Sequence, residues 1–147
     1  MLYLEQDITN IMYGNLLERI DGTLDAPITW SFLINLTNDF TKKNYTCLQT
    51  YNKSLYRLGS GSLIAKYPLK VISTGTANGL NQEILLPIAG NYTYNIYLQN
   101  SLTNLDVEDA SVVRVLESGK AFVFRSTEEV QYVEAATGNP NNFIYVP

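Results

Sequence analysis

The stretch Leu86–Asn100, "LPIAGNYTYNIYLQN", places three tyrosines within six residues, directly after a proline and a glycine. Its second half alternates strictly, which is typical of a β-strand that buries one face. One face carries Tyr92, Tyr94, Ile96 and Leu98, and the other carries Thr93, Asn95, Tyr97 and Gln99. The stretch therefore predicts a strand with an aromatic inner face.

The segment "NQEILL" before this strand also favours a strand, and Pro87 to Gly90 supply a turn between the two. Immunoglobulin-like sandwiches place a tyrosine corner at such a junction: a buried ring whose hydroxyl bonds to main chain a few residues upstream. Tyr92 or Tyr94 is the candidate for this corner.

The same period of two recurs along the chain. Residues 28–40, "ITWSFLINLTNDF", place Ile28, Trp30, Phe32, Ile34 and Leu36 on one face, which predicts a core strand. "TNDFTKKN" predicts the hairpin turn into "YTCLQTY", and "SVVRVLE" and "KAFVFRS" predict a second hairpin around Ser118-Gly119. These runs predict an all-β protein, an immunoglobulin-like β-sandwich of about 7–10 strands.

A length of 147 residues fits one domain. We expect the sandwich over residues 1–135, with a linker and a short apolar tail, "NNFIYVP", at 136–147. The tail could be the last strand of the same sandwich. It could equally add as a strand to a neighbouring subunit, with Phe143, Ile144 and Tyr145 as the contacts.

Composition excludes several function classes. With no histidine, His-dependent triads and the usual zinc sites cannot form, and the single Cys47, predicted to be a core thiol, cannot build a thiolate cage. A net charge of −4 argues against binding to nucleic acid. No apolar run approaches a membrane span, and the N-terminus lacks the pattern of a signal peptide. We expect a non-enzymatic protein without metal or cofactor.

Two further features have a functional interpretation. Asp106, Glu108 and Asp109 could offer oxygens to calcium, but their spacing departs from an EF-hand loop and favours a solvated acidic loop. Tyr97, on the face opposite the corner tyrosines, is a possible exposed aromatic for stacking on sugars. A carbohydrate- or receptor-binding module is therefore one alternative function.

Several motifs occur in an order that resembles a family of small virion structural proteins of tailed bacteriophages, including crAss-like phages. They are Thr9-Asn10, Thr37-Asn38-Asp39 with Thr41, Gly90-Asn91-Tyr92-Thr93-Tyr94-Asn95-Ile96-Tyr97, Asn104-Leu105-Asp106 and Glu117-Ser118-Gly119-Lys120. The order agrees along most of residues 2 to 125, whereas residues 47–73 do not follow the pattern closely and residues 126–147 lie outside it.

The resemblance implies a β-sandwich particle component without catalytic residues. We expect a capsid-associated auxiliary or decoration protein, with a head-tail connector or tail structural protein as the alternative. Its partners would be other virion proteins, either capsid subunits or subunits of the tail and portal complex. They could include further copies of the chain itself. We expect it to bind neither nucleic acid nor membrane. Its expected location is the virion, after synthesis in the host cytoplasm.

Overall fold

A computed structural model describes residues 1–14, 16, 30–50, 56–59 and 62–125, with the main chain alone at 56–59 and 62–65. Within this part of the chain, strands predominate and no α-helix occurs, which confirms the predicted all-β class. A short 3-10 turn lies at Gly79–Asn81. The strands are β1 (Leu2–Glu5), β2 (Thr9–Gly14), β3 (Ser31–Asn38), β4 (Asn44–Thr50), β5 (Tyr56–Gly59), β6 (Ser62–Ile72), β7 (Glu83–Leu85), β8 (Gly90–Gln99) and β9 (Val112–Phe124).

The strands form two sheets. The five-stranded sheet has the order β1-β9-β8-β3-β4, in which β1 runs parallel to β9 and every other neighbour is antiparallel. The other sheet has the order β2-β6-β5, and β7 pairs in parallel with the end of β6. The hairpin predicted at "TNDFTKKN" is the β3–β4 connection.

One apolar core lies between the sheets. The ring of Phe32 on β3 meets the ring of Tyr67 on β6 edge-on, with centroids 5.8 Å apart and planes at 88°. The side chain of Gln49 on β4 donates to the main-chain oxygen of Pro68 on β6. Two sheets that share a core in this way are consistent with the predicted β-sandwich. The largest fully buried apolar side chains are Tyr92, Phe32, Leu4, Leu33, Leu36, Leu48, Leu69, Ile84, Leu86 and Leu98.

Strand β3 is buried on both faces. Its predicted core face is confirmed where the structure describes it, since Phe32, Ile34 and Leu36 are buried and Trp30 packs partly buried against them. Leu33 points to the opposite face and is also fully buried. The register places it between Leu48 and Tyr97 on the neighbouring strands.

Strand β9 corrects one prediction. Residues Val112–Phe124 form one long strand, with Ser118-Gly119 in its middle and no hairpin there. A Cβ atom at Gly119 would lie 2.8 Å from Cε1 of Tyr94, and the Tyr94 hydroxyl donates to Oε1 of Glu117 at 2.7 Å. Glycine occupies this position because the neighbouring ring passes over it, not because the chain turns.

The end of the chain lies outside the described residues, and with it the predicted linker and tail at 136–147, including Phe143, Ile144 and Tyr145. Ile28 of the predicted core face lies outside them as well. Within the described residues, no helix has the length and apolar character of a membrane span.

Candidate docking surface

Three of the quoted motifs meet at one end of the five-stranded sheet. Asp39 follows β3, Thr93 lies on β8, and Lys120 lies on β9. Lys120 Nζ donates to Asp39 Oδ2 and to Thr93 Oγ1, each at 2.8 Å, and Thr93 Oγ1 donates to Asp39 Oδ1 at 2.6 Å. The motif residues therefore join the β3–β4 turn to the centre of the sheet.

Lys120 and Thr93 favour the ionised form of Asp39. Their hydrogen bonds hold the pKa of the carboxyl below its ordinary value, and the positive charges of Lys120 and Lys42 act in the same direction. Because the pKa is lower in the folded than in the unfolded protein, the stability that Asp39 contributes is present above its unfolded-state pKa. It is lost as the pH falls through the folded-state pKa.

This network predicts that Lys120→Met raises the pKa of Asp39 toward its ordinary value, because the largest cause of the lowering is removed. Carbon-detected NMR titration of the Asp39 carboxyl in both proteins measures the change. As a control, Asp7 should titrate as before, since its pKa is lowered by hydrogen bonds from Ser73. An unchanged titration midpoint of Asp39 would contradict the conclusion that Lys120 lowers its pKa.

Of the two candidates for the tyrosine corner, Tyr92 is the one whose hydroxyl bonds to main chain upstream. Its ring is fully buried, and its hydroxyl donates to the carbonyl oxygen of Ile88 at 2.6 Å. Burial raises the pKa of this hydroxyl, which favours the protonated donor form. Tyr94, the other candidate, donates instead to Glu117. Tyr92 thereby fixes the turn that carries Ile88.

Removing the Tyr92 hydroxyl should destabilise the protein. Tyr92→Phe keeps the ring but leaves the Ile88 carbonyl without this donor, so we expect a loss of about 1–2 kcal/mol in the free energy of unfolding. Urea denaturation measures it. Tyr13→Phe is the control, because that ring is exposed, and its change should stay within about 0.5 kcal/mol. Equal effects of the two substitutions would contradict the role of the hydroxyl.

The β3–β4 turn presents an aromatic side chain to solvent. The buried side chain of Asn38 accepts hydrogen bonds from the main-chain N–H groups of Phe40 at 3.0 Å and Thr41 at 2.8 Å. Lys42, at φ 61°, donates its N–H to the Asn38 carbonyl, and the N–H of Asp39 donates to the Asn91 carbonyl. The main chain around Phe40 is therefore fixed, yet its side chain is 93% exposed.

Phe40 borders an open pocket of about 390 Å³ between the β3–β4 turn and the turn before β8. Ile88, which is 44% exposed, forms the apolar side across from it. An exposed aromatic on a fixed main chain beside an apolar depression is the kind of feature that anchors protein interfaces. We call Phe40, Ile88, Lys42 and Lys43 the corner surface. The pocket lining is Asn38, Asp39, Phe40, Ile88, Ala89, Gly90 and Asn91.

The corner surface is positively charged, although the protein as a whole carries −4. Lys42 and Lys43 form the only adjacent basic pair of the sequence. Lys43 Nζ lies 5.5 Å from the centroid of the Tyr45 ring, and Lys120 neutralises Asp39. This surface therefore favours an acidic partner.

The remaining candidates lie elsewhere. Tyr97 is half-buried on the outer face of the five-stranded sheet, where the register pairs it with Val115 and Leu33. Cys47 is fully buried, as predicted, and burial raises the pKa of its thiol to about 12, so it remains protonated. Among the residues that the structure describes, no group of three or more acidic, histidine or cysteine side chains could hold a metal ion.

The carboxylates of Asp106 and Asp109 accept hydrogen bonds from nearby main chain. Asp106 Oδ1 accepts the N–H of Glu108 at 2.9 Å, and Asp109 Oδ1 accepts the N–H of Ser111 at 2.8 Å. Ser111, which donates through its main-chain N–H, lowers the pKa of Asp109. These carboxylates stabilise successive turns.

Sequence reasoning placed no functional residue at Phe40. The available signal was a phenylalanine between the turn formers Asn38-Asp39 and Thr41, where a hairpin turn offers no core to receive it. The alternation of β3 hid that signal, because Phe40 falls on the same phase as the apolar residues of the strand.

Known proteins show little similarity to this chain. No protein-family model matches the chain, and no curated protein matches it significantly. One similar solved structure is a provisionally assigned glycoside hydrolase from Bacteroides vulgatus, with 9% identity and a TM-score of 0.42. That match covers 87% of this chain but only 17% of the other protein, and a likeness this weak decides neither fold nor function.

Proposed function

We propose that this chain is a non-enzymatic structural component of a tailed-phage virion, an auxiliary protein that docks on the capsid lattice. A head-tail connector or tail protein is the alternative within the same class. The order of the motifs along residues 2 to 125 supports the virion assignment. The corner surface supports a function in docking.

We further propose that the sandwich is immunoglobulin-like. The run β9-β8-β3-β4 follows the order G-F-C-C′ of variable-type domains, and β2-β6-β5 follows B-E-D. Tyr92 lies near the start of β8, the counterpart of strand F, and bonds four residues upstream, as a tyrosine corner does. The pairing of β1 with β9 departs from the constant-type arrangement, in which strand A joins the B-E-D sheet.

The single observation that carries the docking function is the 93% exposure of Phe40 on a turn whose main chain is fixed. Exposing an aromatic ring to water adds nothing to the stability of the fold. Hydrogen bonds already fix the main chain of the turn, which reduces the backbone entropy lost when a partner covers the ring. Such a side chain is therefore suited to contact another protein.

Incorporation into particles tests this function. Phe40→Ser should fold normally yet be depleted from purified particles about thirtyfold, the effect of losing a central interface residue. Quantitative immunoblotting of gradient-purified particles from cells that express each variant measures the depletion. Ile11→Ser is the matched control, because Ile11 is an exposed apolar residue on β2 of the other sheet.

The possible outcomes separate clearly. Depletion of Phe40→Ser with normal incorporation of Ile11→Ser would support docking through the corner surface. Equal incorporation of both variants would contradict that surface while leaving the virion assignment in place. Absence of the unaltered protein from particles would contradict the virion assignment itself.

A carbohydrate-binding module is the second candidate. It is favoured by Tyr97 on an outer sheet face rich in polar side chains, among them Asn95 and Ser118, whose hydroxyl donates to Asn95 Oδ1 at 2.6 Å. Sugar recognition combines aromatic stacking with such amide and hydroxyl groups. Glycan-array binding by the purified protein, reduced in Tyr97→Ala, would favour this candidate.

A further inference from the structure

We propose that copies of this chain associate head to tail, with the corner surface of one copy against the acidic loop of the next. We define the acidic loop as residues 102–109, between β8 and β9. The proposal rests on the same surface as the proposed docking function, but it names a second copy as the occupant.

The charges of the two surfaces are complementary. The corner surface carries Lys42 and Lys43 beside an Asp39 that Lys120 already neutralises, so its local charge is positive. The acidic loop carries three exposed carboxylates and no basic residue. Opposite charges on facing surfaces steer association and fix its register. The three carboxylates belong to Asp106, Glu108 and Asp109.

Hydrogen bonds to neighbouring strands hold the acidic loop, as hydrogen bonds to Asn38 hold the β3–β4 turn. Asn104 donates its side-chain amide to Gln99 Oε1 at 2.9 Å, which anchors the start of the loop to β8. Thr46 on β4 donates to the Leu105 carbonyl at 2.8 Å, which anchors its middle to the sheet. Leu102, 46% exposed, adds an apolar side chain to this surface. The main chain of each surface is already hydrogen-bonded before contact, which lowers the entropic cost of binding.

The two surfaces are joined to opposite ends of β8. The corner surface adjoins Gly90, at the start of the strand, and the acidic loop begins after Gln99, at its end. The loop then runs back along the sheet, since the Leu105 carbonyl accepts from Thr46, whose position on β4 is level with Asn95 in the middle of β8. A contact between different surfaces of identical chains is heterologous, so each added copy leaves one free surface of each kind. Such contacts produce rings or open filaments.

Sedimentation-velocity ultracentrifugation of the purified chain over a range of concentrations tests the proposal. The unaltered protein should form species larger than a monomer as its concentration rises. Phe40→Ser should raise the dissociation constant about thirtyfold. Glu108→Lys should raise it roughly fivefold or more, because it reverses one charge of the facing surface. The Glu108 substitution leaves its main-chain N–H free to bond Asp106.

Lys43→Glu and Lys66→Glu form a matched pair. Both lysines lie near a tyrosine ring, with Nζ at 5.5 Å from Tyr45 and at 6.0 Å from Tyr13, but only Lys43 belongs to the corner surface. Lys43→Glu should weaken association, whereas Lys66→Glu should leave it unchanged. A mixture of Lys43→Glu and Glu108→Lys copies should associate more tightly than either alone, since the reversed charges then face one another.

Mixing also tests whether the corner surface of one copy meets the acidic loop of another. Phe40→Ser copies keep an intact acidic loop, and Glu108→Lys copies keep an intact corner surface, so their mixture should form a one-to-one dimer that grows no further. Absence of that dimer would overturn the proposal. A monomeric unaltered protein at every concentration would also overturn it, and if Phe40 were still needed for incorporation into particles, the occupant would be another virion protein.

Discussion

Phe32→Ala is expected to cost about 4 kcal/mol of unfolding free energy, the largest loss from any single substitution discussed for this protein. Phe32 is 1% exposed on β3, and its ring meets the Tyr67 ring of the other sheet edge-on at 5.8 Å. Truncation removes buried apolar surface from both sheets and leaves a cavity that they cannot close without moving. Chemical denaturation with guanidinium chloride measures the loss.

Phe40→Ala is the matched control, since it is the same substitution eight residues along the chain. Its ring is 93% exposed, so stability should change by no more than about 0.5 kcal/mol. A large loss in Phe40→Ala would mean that this ring packs within the fold and is not available to a partner. A small loss in Phe32→Ala would mean that the two sheets do not share the core described above.

Gly119→Ala is expected to cost about 2 kcal/mol. The added Cβ would lie 2.8 Å from Cε1 and 2.9 Å from the hydroxyl oxygen of Tyr94, closer than real side chains approach. Tyr94 is buried and bonded to Glu117, so displacing its ring would also strain that hydrogen bond. The double variant Gly119→Ala with Tyr94→Leu should cost less than the sum of the two single substitutions, because the shorter side chain vacates the space.

Gly14→Ala is the control for the glycine effect. Gly14 also lies in a strand, but a Cβ there would be 3.7 Å from Cε2 of Tyr67, an ordinary contact, and its φ is not in the left-handed region. Its substitution should be neutral or slightly stabilising, since alanine reduces the entropy of the unfolded chain. Thermal unfolding of both variants compares them. Equal destabilisation would show that the loss at Gly119 does not come from Tyr94.

The sequence predicted the features that depend on local periodicity. The alternation in β3 and β8 identified both strands and the faces that pack between the sheets, although it did not indicate that β3 is buried on its other face as well. The corner at Tyr92 was among two candidates, but alternation alone could not choose between Tyr92 and Tyr94, which share a face. The choice depends on which hydroxyl reaches the Ile88 carbonyl, a distance set by the turn between the strands.

Other features depend on contacts between distant parts of the chain. Local sequence patterns predicted these features wrongly or did not indicate them. Ser118-Gly119 has the composition of a turn, but glycine is required at position 119 because the ring of Tyr94 lies against it. Tyr94 is 25 positions earlier, on the adjacent strand. The hydrogen bonds of Asp39 could not be predicted from local patterns, because their donors, Thr93 and Lys120, lie far away along the chain. The exposure of Phe40 could not be predicted from period-two alternation, because it results from the β3–β4 turn that the Asn38 side chain stabilises.

Cryo-electron microscopy of purified particles, with the copies of this chain located and counted, tests the central proposal most directly. A capsid auxiliary protein should appear over the head in numbers set by the capsid lattice, with Phe40 and Ile88 facing a neighbouring subunit. A ring of few copies at the neck or tail would contradict the capsid placement and favour a connector. Absence from the particle would contradict the virion function and make carbohydrate binding the leading candidate.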